Sequence, residues 1–177
     1  MTARDFPAFS VFPAVPGSIS VIDVDYRKIE GRVVMETTMG RVLTQATIEN
    51  LGDLYEAERG SRSSGDVRRA AVDDALVDSG ATTLALPTHL ISRLGLKKVY
   101  EKRAKSTQGV GPVSVYEAVR LTIEGRFCTV DVMEVPDDVP VLIGQIPLEM
   151  LDLVIDLQGR RLTGNPAHNG EHILELF

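Results

Sequence analysis

In the stretch ALVDSGATTLALP, residues 75–87, an aspartate sits between two apolar runs. Aspartate is depleted from strands and is seldom buried without a partner. Asp78 therefore either caps a turn before a glycine or stands there for its chemistry. Gly80 lets the backbone bend where a side chain would clash, and Ser79 places a hydroxyl close to the carboxylate. No other group of reactive side chains is as well placed. His168 and His172 are four apart with Glu171 between them, a spacing that holds metal on a helix. Asn169-Gly170 points to a turn instead, and no metal site is expected. Cys128 alternates with core residues and reads as a small buried hydrophobe. Gly109-Val110-Gly111 lacks the spacing and the Lys-Ser/Thr of a phosphate loop. No Ser–His–Asp or His–Cys arrangement is discernible.

The elements around Asp78 read mostly as strands. VYEAVRLTI puts Val115, Val119, Leu121 and Ile123 on one face at period two, with Glu117 as a blemish. EGR turns the chain at Gly125, and FCTVDVMEV answers with Cys128, Val130 and Val132, making a hairpin with one buried face. GRVLTQATIEN and VRRAAVDDALVD read as strands too, separated by the polar loop ERGSRSSGD. Two short helices are expected. PTHLISRLGL opens at Pro87, buries Leu90, Ile91 and Leu94, and stops at Gly95. IPLEMLDL opens at Pro147 and turns Leu148 and Leu151 inward.

The composition bounds the alternatives. A chain of 177 residues with 44% hydrophobic content can bury a core. Its net charge of −6 argues against nucleic acid or an anionic membrane as partner. One cysteine rules out an intrachain disulfide and suits a reducing cytoplasm. The N-terminal MTARDFPAFSVFPAVPG has mixed charge and interrupting prolines, which makes a poor secretory signal. Residues 1–38 differ from the rest and read as an extension of uncertain role. They are an added strand, an arm, or translated sequence upstream of a natural start. Residues 39–177 form the expected main domain.

ALVDSGATTLALP resembles the active-site signature of the retropepsin-like aspartic proteases: two apolar residues, Asp, Ser or Thr, Gly, Ala. VPVLIGQIPLEMLDLVID resembles that family's second signature, in which an apolar run ends in Ile143-Gly144 before a short helix and a strand. Both lie in the family's order with hairpins between them, and the likeness spans roughly residues 39–165.

The resemblance implies an all-β fold, a small closed acid-protease barrel with one or two short helices, working as a two-fold homodimer. It makes Asp78 the catalytic residue, supported by Ser79, Gly80, Ala81 and Thr82. Two carboxylates must share one proton, and the chain has one such motif. A second copy must therefore supply the other Asp78 across a rotation axis. Water held between them attacks a peptide carbonyl, with no metal or organic cofactor. Ala81 cannot donate a hydrogen bond to the aspartate, which implies a working pH nearer neutral than that of gastric-type enzymes; Thr82 can partly replace that donor. Gly109, Val110 and Gly111 are the flap candidates. Ile173, Leu174, Leu176 and Phe177 are the candidates for a strand interleaved in the dimer. The expected partners are a second copy and a peptide or protein substrate. A different reading keeps the same barrel as a non-proteolytic, dimeric peptide-binding or assembly module, because fold does not fix function.

Overall fold

The computed structural model describes residues 24–29, 32–37, 41–106 and 109–174. The chain divides into two compact units, Met1–Met39 and Gly40–Phe177. In the first, β1 (Val24–Ile29) pairs antiparallel with β2 (Arg32–Thr37), from Val24 opposite Thr37 to Ile29 opposite Arg32.

The second unit is mostly β. Its strands are β3 (Val42–Asn50), β4 (Arg69–Val77), β5 (Leu84–Pro87), β6 (Lys98–Ser106), β7 (Gly109–Ile123), β8 (Arg126–Val135), β9 (Leu142–Ile143), β10 (Leu153–Asp156) and β11 (Arg161–Gly164). Six of them close a mixed barrel in the order β3-β4-β9-β5-β8-β7, with β7 returning to pair with β3. Closure leaves no unpaired edge within the ring. Among the described residues β6 pairs only with β7, the two forming a hairpin arm, while β10 and β11 form a separate antiparallel pair.

The period-two pattern fixes which face turns inward. Val119, Leu121 and Ile123 of β7 and Val130 and Val132 of β8 are buried as their alternation implies. Ile48, Val77, Leu84, Leu86 and Ile143 complete the same core. The β7–β8 turn is Glu124-Gly125 with φ of 49° and 78°, the pair of left-handed residues that a two-residue hairpin requires. Near Glu117 the β7–β8 register slips, between Tyr116 and Val119. That bulge bends the long strand, so its first part serves the arm and its second part the barrel.

Among the described residues there are three α-helices where one or two were expected: α1 (Leu51–Glu58), α2 (Thr88–Leu94) and α3 (Gln145–Met150). α2 buries Leu90, Ile91 and Leu94 as expected and ends at Gly95 with φ 61°. Pro87 caps it from the end of β5 rather than forming its first turn. α3 begins at Gln145, before Pro147, and buries Leu148; Leu151 is buried just beyond it. α1 is the unforeseen helix. Asn50 accepts a hydrogen bond from Asp53 N at 3.0 Å and caps it, the local exchange that favours Asn at a helix start. Its Nδ2 also donates to Leu94 O at 2.9 Å, tying α1 to α2.

The same corner holds a buried carboxylate. Arg68 grips Asp53 with Nε and Nη2 at 2.6 and 2.7 Å, the bidentate geometry that suits a planar guanidinium. The Asp53 side chain is 3% exposed, and Arg62 lies 3.2 Å away. Hydrogen bonding from Arg68 holds the Asp53 carboxyl at about 2, below its ordinary 3.8, against the opposing effect of burial. A depressed carboxylate stabilises the fold above its unfolded value and loses that contribution as pH falls through the folded one. Asp53→Asn should therefore cost about 2 kcal/mol near neutral pH, less than a fully buried pair because Arg68 is 41% exposed. In urea titrations the gap between wild type and variant should close as pH falls from about 4 to about 2. A gap that stays constant over that interval contradicts the assignment.

Candidate functional site

Asp78 stands at the end of β4, one residue past the buried Val77. Backbone pairing decides where it points. Leu76 N donates to Val141 O at 2.8 Å and Asp78 N to Ile143 O at 3.0 Å, so β4 runs parallel to β9 up to the aspartate. The chain then turns tightly. Gly80 N donates to Asp78 Oδ1 at 2.8 Å and Ala81 N to Asp78 O at 3.0 Å. It returns on the opposite side of β9 as β5, with Leu84 opposite Ile143 and Ala85 opposite Leu142. β9 is thus threaded between the two arms of the Asp78 turn.

Just beyond β9 the interlock tightens. Gly144 N donates to Thr83 O at 3.1 Å, Gln145 N to Ala81 O at 3.0 Å and Ile146 N to Thr82 O at 3.0 Å. Three consecutive amides at the start of α3 thereby hold three consecutive carbonyls of the turn. Such contact needs a bare backbone: a Cβ on Gly144 would lie 2.6 Å from both Ala81 O and Thr83 O. Gly144 φ is −87°, so the glycine is required for space and not for an unusual dihedral.

Gly80 also serves by its size. A Cβ there would come within 3.1 Å of Asp78 Oδ1 and crowd the carboxylate. The Asp78 side chain is left half-buried at the mouth of this turn, with Ser79, Gly80 and Thr82 exposed and Ala81 half-buried. A carboxylate held on a fixed backbone and open to solvent can accept or deliver a proton. Thr82 lines an adjoining cavity together with Tyr100, Lys102, Met133, Ile146 and Met150.

The structure brings Asp78, Ser79, Gly80, Ala81, Thr82, Ile143 and Gly144 together. The flap candidates lie at the far end of the β6–β7 arm. There Gly109 pairs with Ser106, Val110 with Lys105 and Gly111 with Ala104. The strand starts at Gly109, and residues 107–108 lie outside the described residues. A Cβ on Gly111 would meet nothing within 4 Å, so no contact demands that glycine.

Of the candidate dimer strand, Ile173 and Leu174 are exposed and belong to no strand of this chain. Leu176 and Phe177 lie outside the described residues. Ile173 N donates to Asp152 Oδ2 at 3.1 Å, which anchors the segment to the barrel. The same carboxylate lies 2.7 Å from His168 Nδ1. It is held down to about 2, chiefly by that bond. His172 Nε2 lies 3.1 Å from Met150 O. The two histidines do not share a helical face, because Asn169 and Gly170 both turn left-handed between them. Cys128 is buried, and burial pushes its thiol up to about 11, far from a thiolate.

Sequence reasoning passed over the Asn50–Asp53–Arg68 corner and the exposed face of α3. The first carries a signal: Asn followed three residues later by an acid resembles a capping box. The second has none, since Ile146 and Met150 read as ordinary helix residues.

Residues 64–146 match the family model described as aspartyl protease. The span starts before β4 and ends within α3, so it takes in the Asp78 turn, the β6–β7 arm and Gly144. A search of curated proteins finds no match.

The interlock has a direct consequence. Gly144→Ala should lower stability by about 3 kcal/mol, the upper range for overpacking, because its neighbours are backbone and cannot swing aside. Gly111→Ala should change it by less than about 0.5 kcal/mol. Chemical denaturation of both variants checks the contrast; equal effects contradict it.

Proposed function

Because residues 64–146 belong to the retropepsin-like aspartyl protease family, we propose that the chain is an aspartic endopeptidase whose catalytic pair forms across a homodimer. One Asp78 comes from each copy. The observation that carries this reading is the Asp78 turn itself, a half-exposed carboxylate on backbone locked between β9 and α3.

The need for two copies follows from the chemistry. Peptide hydrolysis of this kind uses one ionised and one protonated carboxyl. Two such groups a few Å apart cannot both ionise, so they share a proton and titrate as a unit. The chain carries one Asp-Ser-Gly. A two-fold axis beside the Asp78 turn supplies the second. In the reaction, the ionised Asp78 removes a proton from water as its oxygen attacks the peptide carbonyl. The protonated Asp78 of the other copy donates to the carbonyl oxygen. Collapse of the tetrahedral species breaks the C–N bond, and the amine leaves with a proton from the pair.

Other features support parts of this reading. The β6–β7 arm projects from the barrel, as a cover over an extended substrate does. Such a substrate pairs its backbone with sheet edges. Ile173 and Leu174 present apolar surface at the C-terminal end, suited to an interface between copies. The single, buried Cys128 fits a reducing compartment, and we place the protein in the cytoplasm.

Incubation of wild type and Asp78→Asn with a peptide library, read by mass spectrometry, tests the proposal. Wild type should cleave internal bonds, and the variant should lose at least about a thousandfold in rate, the scale expected when an essential acid–base group is removed. Equal cleavage by both, or equal silence from both with peptide still bound, contradicts it. The latter outcome selects the non-proteolytic module.

A further inference from the structure

Residues 97–105, KKVYEKRAK, carry five basic side chains and one acid, and residues 106–116 carry no charge. The arm sequence 97–116 is therefore +4 in a chain whose net charge is −6, which leaves −10 for all other residues. Charge sorted onto one element in this way points to binding rather than to solubility.

That element is also an open edge. β6 pairs on one side with β7, from Lys98 opposite Tyr116 to Ser106 opposite Gly109. On its other side it pairs with no strand among the described residues. In an antiparallel ladder alternate residues turn their N–H and C=O away from the partner, so this side of β6 offers a template for one more strand. Lys97, Lys98, Val99, Tyr100, Lys102 and Arg103 are all exposed along it. Past the bulge between Lys98 and Tyr100, Tyr100 and Lys102 share one face and Glu101 and Arg103 the other. Among the described residues the one ion pair on the strand joins Lys98 to Glu101. The charges of Lys97, Lys102 and Arg103 are thus left for a partner.

Lysines on an edge strand commonly keep other strands away. That guard works against neutral and basic strands. An acidic strand instead meets opposite charge on both faces, with backbone donors and acceptors between them. Nucleic acid fits less well: nine residues of strand span about 30 Å, and a longer polyanion runs on toward a chain that is otherwise strongly negative. We infer that the open edge of β6 takes up an extended acidic segment of a polypeptide as an added strand, with Lys97 and Arg103 among its charge partners. The edge is separate from the Asp78 turn, so the segment it holds is not the one that meets the carboxylate. Its role in docking a substrate rests on the peptide substrate proposed above; the binding itself does not.

The test uses the full chain carrying Asp78→Asn, so that no probe is cut during the measurement. Fluorescence anisotropy follows four labelled probes: (Glu-Val)5, (Lys-Val)5, (Glu-Val)5 methylated at every backbone nitrogen, and a short oligothymidylate. (Glu-Val)5 should bind at least about tenfold more tightly than the other three, since only it combines negative charge with donors for the ladder. Its affinity should fall as salt rises from about 50 to about 300 mM. In the same background Lys97→Glu with Arg103→Glu should weaken (Glu-Val)5 about tenfold and strengthen (Lys-Val)5, a gain that an unfolded variant would not show. No binding of (Glu-Val)5, equal binding of the methylated peptide or the oligonucleotide, or an affinity that the double variant leaves unchanged overturns the inference. Cleavage of the peptide library by wild type, followed in parallel, separates the two proposals. Binding of (Glu-Val)5 without any cleavage sinks hydrolysis alone, and cleavage without such binding sinks the docking edge alone.

Discussion

The structure depends on one close backbone contact, the seating of Gly144 against the carbonyls of residues 81–83. A turn carrying an aspartate after a buried strand would ordinarily be among the more mobile parts of a fold. Here β9 passes between its arms and pairs with both, parallel to β4 and antiparallel to β5. Three successive amides then secure its carbonyls. The turn has little freedom left, and the carboxylate it carries is placed by main chain rather than by side-chain packing. That is the kind of preorganisation that acid–base chemistry needs.

This arrangement separates a rigid floor from a less constrained arm. Barrel closure through β3 and β7 gives the floor a continuous core, with Ile48, Leu84, Leu121, Ile123 and Ile143 fully buried. Beyond Val115, toward its tip, the β6–β7 arm pairs only within itself among the described residues. Glu117 marks the junction: its N donates to Lys97 O, and its carboxylate accepts from Lys97 N, both at 3.0 Å. A polar residue on an otherwise apolar strand face is thus explained by the bend it stabilises. α3 connects the two regions. Its buried side completes the floor, and its exposed Ile146 and Met150 face the cavity beside the arm.

Much of this was legible in the sequence because it rests on period and spacing. Alternation in β7 and β8, the Gly125 turn, the apolar triplet of α2 and the order of the two signatures each follow from local rules. Gly144 was legible as a motif, but its reason was not: the clash with Ala81 O and Thr83 O exists only once distant segments meet. α1 was missed because LGDLYEAE is short and weakly amphipathic. Its stability comes from the Asn50 cap and the Arg68 contact with Asp53, fifteen residues apart. Ile173 and Leu174 were read as a strand by analogy with a dimer. Among the described residues they pair with no strand, and the segment is held by the bond from Ile173 N to Asp152 and the contact of His172 with Met150 O.

The central claim is that two Asp78 carboxyls act as one unit, and mixing tests it most directly. Wild type and Asp78→Asn are combined in varying ratio at fixed total protein, allowed to exchange subunits, and assayed for peptide cleavage. If a working centre needs one Asp78 from each copy, activity falls as the square of the wild-type fraction, to about a quarter at an equal mixture. A linear decline, to about half at that mixture, means that each chain acts alone and contradicts the account.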